Sequence, residues 1–225
     1  MPNVSADGKQ PPVSDGIRIG ADERPRCWWA GDDALYAAYH DDEWGRPVAN
    51  DRRLFEKLCL EGFQSGLSWL TILRKRENFR RAFAGFDPVA IADFGEHDVE
   101  RLMGDAGIVR NRAKILATIN NARRYPELVA ETGSLAAYLW SFEPDPASRP
   151  TALDYATLLG FASSAESKAM SRDLRRRGWA FVGPTTAYAA MEAMGIVNDH
   201  LDGCWVRPEV ERLRADFSRP TLLAR

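Results

Sequence analysis

The feature that most constrains this 225-residue sequence is a pair of cysteine–histidine couplets set far apart: Cys27-x12-His40 near the start of the patterned region and His200-x3-Cys204 near its end. Two thiols and two imidazoles are the ligand inventory of a closed, tetrahedral zinc site. The chain has three Cys and three His, so four of the six fall into this arrangement. If one ion takes all four, the N- and C-terminal segments of the fold must meet. The other reading leaves all four as ordinary core or surface residues, since couplets distant in sequence can be equally distant in space. His97, in the polar run Glu96-His97-Asp98, reads as exposed, and Cys59, on the apolar face of a helix, as packed. An odd cysteine count in a chain without an export signal argues against disulfides.

Between the couplets the pattern is helical. Leu54, Phe55, Leu58 and Cys59 have amphipathic spacing, which Gly62 and Gly66 are expected to break. Ser68 is placed to cap a helix through Trp69, Ile72 and Phe79 that Gly85 stops. Asp87-Pro88 supplies an N-cap and a proline at the first helical position. Asn111 to Tyr125 places Ile115, Leu116, Ile119 and Ala122 on one face, and Ser134 to Phe142 reads as a short helix. Ser163-x-x-Glu166 reads as a capping box for a helix ending in Arg175-Arg176-Arg177 before Gly178. Gly183-Pro184 opens another helix, striped by Ala187, Tyr188, Met191 and Met194 and stopped by Gly195. Only Trp179 to Val182 looks strand-like, too short to build a sheet. The fold class is all-α. A helical domain over residues 25–208 is expected between a disordered tail, 1–24, and a C-terminal tail, 209–225.

No apolar run reaches about 18 residues, and the first 24 residues lack the apolar stretch of a signal peptide. A soluble, cytoplasmic protein is expected. The formal net charge is −2, so the whole chain has no basic signature. Basic residues cluster locally at Arg74, Lys75, Arg76, Arg80 and Arg81, and again at Arg172 and Arg175 to Arg177. Such clusters are usually solvated helix faces.

Two further constellations can carry chemistry. Gly104-Asp-Ala-Gly107-Ile-Val-Arg110-Asn-Arg112-Ala-Lys114 joins two helical patterns through a glycine turn. It looks like a helix-hairpin-helix, whose turn amides and following helix N-terminus can hold a DNA phosphate, with Arg110, Arg112 and Lys114 adding charge. Glu61-Gly-Phe-Gln-Ser-Gly-Leu-Ser-Trp69 sets a carboxylate and an indole around a glycine-bearing turn, and Trp29, Tyr36, Tyr39 and Trp44 are dense upstream. Aromatics normally fill cores. A pocket for a flipped purine cation also needs aromatic faces and a carboxylate to accept from the base edge.

The strings Tyr39-His-Asp-Asp-Glu-Trp-Gly45, Leu60-Glu-Gly-Phe-Gln-Ser-Gly-Leu-Ser-Trp69, Arg74-Lys-Arg-Glu-Asn-Phe79, Asp105-Ala-Gly-Ile108 and Val197-Asn-Asp-His-Leu-Asp-Gly-Cys204 together resemble the 3-methyladenine DNA glycosylase I family. The match runs in order from about Cys27 to Cys204. The resemblance implies a helix-hairpin-helix glycosylase fold with one structural zinc held by Cys27, His40, His200 and Cys204. It implies base recognition by Glu61 and stacking on Trp69, with Tyr36, Tyr39 and Trp44 lining or supporting the pocket. Monofunctional hydrolysis of the N-glycosidic bond of 3-methyladenine in double-stranded, alkylated DNA, by a monomer, is the expected function. Trp28, Phe63 and Trp205 depart from the family pattern at the pocket rim and zinc surroundings. Many helix-hairpin-helix glycosylases place a catalytic Asp downstream of the hairpin, yet no Asp occurs between Arg110 and Asp145. That fits an enzyme relying on the charge of its substrate. Two rivals share parts of these motifs: a zinc-stabilised DNA-binding module without activity, and a zinc-dependent hydrolase, which would need an open metal position.

Overall fold

A computed structural model describes residues 16–224. The chain opens on a two-stranded antiparallel ribbon, β1 (Ile17–Ile19) and β2 (Pro25–Cys27), registered with Ile17 opposite Cys27. These strands correct two expectations. The ribbon occupies part of the segment read as a disordered tail, whose residues 1–15 lie outside the described residues. Trp179 to Val182 is not a strand: Phe181 sits at φ 55°, and the Asn121 side chain takes the bonds a strand partner would make. Its Oδ1 accepts from Ala180 N at 2.8 Å and its Nδ2 donates to Ala180 O at 3.0 Å.

The rest is helical: α1 (Ala34–Asp42), α2 (Asp51–Gln64), α3 (Trp69–Ala82), α4 (Pro88–Ala92), α5 (Glu96–Gly104), α6 (Arg112–Thr132), α7 (Leu135–Trp140), α8 (Tyr155–Leu159), α9 (Ala165–Arg176), α10 (Pro184–Ala193) and α11 (Arg207–Asp216). The caps follow local chemistry. Ser68 accepts from Thr71 N, and Asp87 accepts from Val89 N and Ala90 N, each satisfying amides that a helix start leaves open. The capping box of α9 falls one residue later than expected, on Ser164 and Ser167.

α2 is the central helix, packed by α3, α6, α7 and α10. Its last seven residues, Leu58 to Gln64, are all buried, as suits a helix surrounded by protein rather than lying on its surface. Gly62 therefore does not break it. It lets α2 approach the loop after α9, where an added Cβ would lie 3.3 Å from Phe181 Cβ. α6 extends past Tyr125 through Pro126 to Thr132. Leu116 is exposed rather than inward, while Ile115, Ile119, Ala122 and Leu128 form the buried face. The expected C-terminal tail begins inside α11, which runs to Asp216: its Val210 is buried beside Cys27, Cys204 and Val206, and Leu223 N donates to Thr132 O at 3.2 Å. Among the described residues no helix is long and apolar enough to cross a membrane.

Candidate metal centre and active site

The two couplets meet. β2 delivers Cys27, α1 delivers His40, and the turn between α10 and α11 delivers His200 and Cys204; all four are buried with ligand atoms within 4.8 Å of one another. Cys204 Sγ lies 3.5 Å from His40 Nε2 and 3.6 Å from His200 Nδ1, and Cys27 Sγ lies 3.8 Å from His200 Nδ1. The outer nitrogens define the tautomers. His40 Nδ1 faces Asp41 Oδ1 at 2.7 Å and His200 Nε2 faces the Trp44 carbonyl at 3.1 Å, so each imidazole turns a lone pair inward. Arg26 clamps Asp41 from behind, with Nη2 to Oδ2 at 2.7 Å. Burial opposes ionisation of Asp41, but its contacts with His40 and Arg26 hold the carboxyl down to about 2. Leu201 N donates to Cys27 Sγ at 3.3 Å. Gly45, at φ 81°, leaves room for the cluster, since an added Cβ would lie 3.1 Å from the His200 ring. Two sulfurs, two nitrogens and a satisfied outer layer suit a metal ion.

Against this cluster stands an aromatic cavity of about 260 Å³, lined by Trp29, Tyr36, Tyr39, Trp44, Glu61, Gln64, Trp69, Ala189 and Glu192. α1 carries Tyr36, Tyr39 and His40 at i, i+3, i+4, so pocket and metal residues share one helix face. The rings interlock: Trp29 lies 5.1 Å from Tyr36 and 4.9 Å from Trp44, Tyr39 lies 5.3 Å from Trp69, and Trp44 meets the His200 ring edge-on at 4.6 Å. Glu61 and Trp69, at opposite ends of the α2–α3 turn, are both about 5 % exposed. The indole N–H groups of Trp29 and Trp69 are buried without a hydrogen-bond partner among the described residues.

Two ionisable residues, Lys57 behind this cavity and Glu192 in its lining, were not singled out in the sequence. Lys57, one turn before Glu61 on α2, sets Nζ 3.1 Å from Glu61 Oε1, donates to the Tyr39 hydroxyl, and stands 3.4 Å from the centre of the Trp69 ring. Burial lowers its amine to about 8. Glu192, on α10, is pushed up to about 7, chiefly by burial. The i, i+4 spacing to Glu61 was the available signal for Lys57. For Glu192 it was a carboxylate four residues after Tyr188, on a helix of otherwise small and apolar residues.

The residues read as a hairpin form the connection from α5 to α6. Gly107 N donates to Asp105 Oδ1 at 2.7 Å, so a phosphate approaching that amide would have to replace this bond. Arg110 and Arg112 are exposed, Arg112 paired with Glu96. Lys114 is not at the surface. It is 7 % exposed, with Nζ donating to Phe63 O at 2.8 Å and to Ser65 O. Carbonyls left open at the C-terminus of α2 draw its charge inward.

The methyladenine glycosylase family model matches residues 29–207. DNA-3-methyladenine glycosylase 1 of Escherichia coli (strain K12) is 47 % identical over 186 residues, 81 % of this chain and 97 % of that protein. A crystal structure of 3-methyladenine DNA glycosylase I superposes with a TM-score of 0.75 at 46 % identity, covering 81 % of this chain and all (100 %) of that one. A Staphylococcus aureus 3-methyladenine DNA glycosylase I, solved to define 3-methyladenine recognition, gives 0.74 at 34 % identity over 80 % of this chain and 95 % of that one. Fold and site thus define an enzyme of the DNA glycosylase class, which cleaves N-glycosyl bonds. The chain belongs to the methyladenine glycosylase family.

Proposed function

We propose that this protein is a monomeric, monofunctional N-glycosylase that removes 3-methyladenine from alkylated double-stranded DNA, with a structural zinc at Cys27, His40, His200 and Cys204. The observation that carries this is the pairing of Glu61 and Trp69 in one aromatic cavity. A base alkylated at N3 is cationic. An indole face attracts it, and a buried carboxylate accepts from its edge, a combination that neutral adenine satisfies less well. The two unpartnered indole N–H groups add donors whose satisfaction is worth about 1–3 kcal/mol each. Tyr36, Tyr39, Trp44 and Trp29 shape the slot.

The chemistry then asks little of the protein. The C1′–N9 bonding pair leaves with the base, which departs neutral; water adds at C1′ and its proton passes to solvent. The pocket contributes by holding the base out of the stack and excluding bases without positive charge. Arg110 and Arg112, beside Gly107 in a helix-hairpin-helix, supply phosphate contacts that position the duplex; Lys114 is better read as a tie between α6 and the end of α2.

Zinc as the metal is supported by the donor set. Tetrahedral bonds of about 2.3 Å to sulfur and about 2.0 Å to nitrogen separate the two donors by about 3.5 Å, against 3.5, 3.6 and 3.8 Å here. Four ligands leave no open position, which argues against a hydrolytic metal. The test is release of bases from methylated duplex DNA, analysed for which base appears. We expect 3-methyladenine from the unaltered protein and a loss of at least tenfold in Glu61→Ala, with DNA affinity little changed. Undiminished excision by Glu61→Ala removes that residue from recognition, and no excision by the unaltered protein favours the inactive binding module.

A further inference from the structure

Lys57 places a cation of the protein's own on the groups proposed to recognise a cationic base. Its ammonium lies 3.1 Å from Glu61 Oε1 and 3.4 Å from the Trp69 ring centre, donates to the Tyr39 hydroxyl, and lies 4.7 Å from the Tyr39 ring. It enters from behind the pocket. Lys57 borders a second cavity of about 460 Å³ that shares the Tyr39 and Trp69 walls with the first.

The charges around it are largely committed to one another. On the α3 side, Arg76 makes a two-pronged pair with Glu43 at 2.6 and 2.8 Å, and Arg80 pairs with Glu56 at 2.8 Å. Arg53 lines the same cavity from α2, and α10 with its C-terminus presents Ala193 and Met194 there. Across the base pocket, Glu192 faces in from α10. Glu61 is therefore the carboxylate that holds the Lys57 charge, and a buried carboxylate without such a partner is costly.

We propose, building on the glycosylase reading above, that Lys57 tunes the base site: its ammonium occupies the carboxylate–indole pair in the empty pocket, and a cationic base binds as Lys57 gives up its proton. The proton passes from Nζ to solvent, and the neutral amine keeps its contacts with Tyr39 and Glu61. A neutral base brings no charge to drive that loss. Its binding carries no such proton release, so the exchange of one cation for another ties the affinity for an alkylated base, and not that for a neutral one, to pH. The geometry makes the exchange necessary, because two cations sharing one buried carboxylate repel. Burial, which lowers the amine to about 8, makes it feasible near neutral pH.

The experiment is calorimetric titration of the full chain with 3,9-dimethyladeninium, a permanent cation, between pH 7.5 and pH 9, where the Lys57 amine titrates; the tail of the Glu192 titration is common to the unaltered protein and Lys57→Met and is read from the latter. Neutral 3-methyladenine is the control. If only the deprotonated form accepts the cation, its affinity rises about threefold to fourfold across the window as that form fills. At pH 7.5, buffers of different ionisation enthalpy should report release of about three-quarters of a proton. Lys57→Met should bind the cation more tightly at pH 7.5 and lose both the rise and the proton release. Lys57→Arg, with a fixed charge, should bind it weakly at every pH. A flat profile in the unaltered protein, an equal rise in Lys57→Met, or an equal rise for neutral 3-methyladenine overturns the proposal. Failure of the cation to bind any of the three proteins instead overturns the base-pocket reading itself.

Discussion

His200 donates from Nε2 to the backbone carbonyl of Trp44 at 3.1 Å while its ring meets the Trp44 indole edge-on at 4.6 Å. One residue of the cysteine–histidine cluster thus holds a wall of the aromatic cavity, which ties pocket shape to metal occupancy. A metal held by these four residues, which come from both ends of the fold, would have its binding coupled to folding. Cys204→Ser is expected to lose one zinc per chain, lower the melting temperature and reduce excision. Asp41→Asn, which leaves the four ligands intact but weakens the His40 contact, should cost about 10–100-fold in metal affinity. Elemental analysis of chelator-free protein with melting curves checks both; absence of stoichiometric zinc in the unaltered protein removes the assignment.

A second expectation concerns acid. Asp173 accepts from Arg177 Nε at 2.6 Å and from the Tyr138 hydroxyl at 3.0 Å, and is paired with Arg176, tying α9 to α7. Burial opposes its ionisation, but the two guanidiniums and the hydroxyl outweigh it and hold the carboxyl at about 2. A carboxyl lowered on folding stabilises the protein above its unfolded value and loses that contribution as pH falls through the folded one. After discounting for partial exposure, the contribution at pH 7 is about 1–2 kcal/mol, or roughly 2–8 °C in melting temperature for a chain of this size. Asp173→Asn should show that deficit at pH 7, and the gap should close between pH 4 and pH 2. A deficit independent of pH would mean that geometry, not charge, is what Asp173 supplies.

How far the site was legible depends on where each signal lay. The metal cluster could be nominated because its residue types are scarce and paired at short range, although only the fold brings Cys27 to His200. Ser68 and Asp87 were legible because a cap is local chemistry. Lys57 was not: in sequence it is one of several charges on an amphipathic helix, and it becomes buried only when α1 and α3 close over α2. Lys114 was misread for the same reason, since the carbonyls of Phe63 and Ser65 that hold it come from about fifty residues earlier in the chain. β1 and β2 carry no strand pattern of their own length. They pair at the base of the metal cluster, with Cys27 itself in the register.

DNA binding should depend on the α5–α6 connection. Arg110 and Arg112 are exposed there, and contacts with phosphate release counterions, so affinity should fall steeply with salt. Replacing both with Ala is expected to weaken binding to all sequences alike and to flatten the salt dependence by up to about two phosphate contacts. Fluorescence anisotropy across a salt series reads this directly. Unchanged affinity and slope would move the DNA surface elsewhere on the molecule.

The last expectation is that base release leaves the sugar–phosphate backbone intact. Cutting the strand requires an amine that attacks C1′ and forms a Schiff base, and the two buried lysines nearest the pocket are both engaged. Lys114 donates to the carbonyls of Phe63 and Ser65. Lys57, with the lowered amine that such chemistry favours, is pinned by Glu61 and Tyr39 and enters from the cavity behind the aromatic wall rather than from the pocket. Methylated duplex DNA incubated with the enzyme and borohydride should therefore yield free base without nicks or trapped complex. Trp69→Ala should lower kcat/KM by about one to two decades, since stacking and cation–π attraction are worth about 1–3 kcal/mol and are felt where the base is held. A borohydride-trapped complex that disappears in Lys57→Met would make this a bifunctional enzyme, and would give Lys57 a covalent role in place of an electrostatic one.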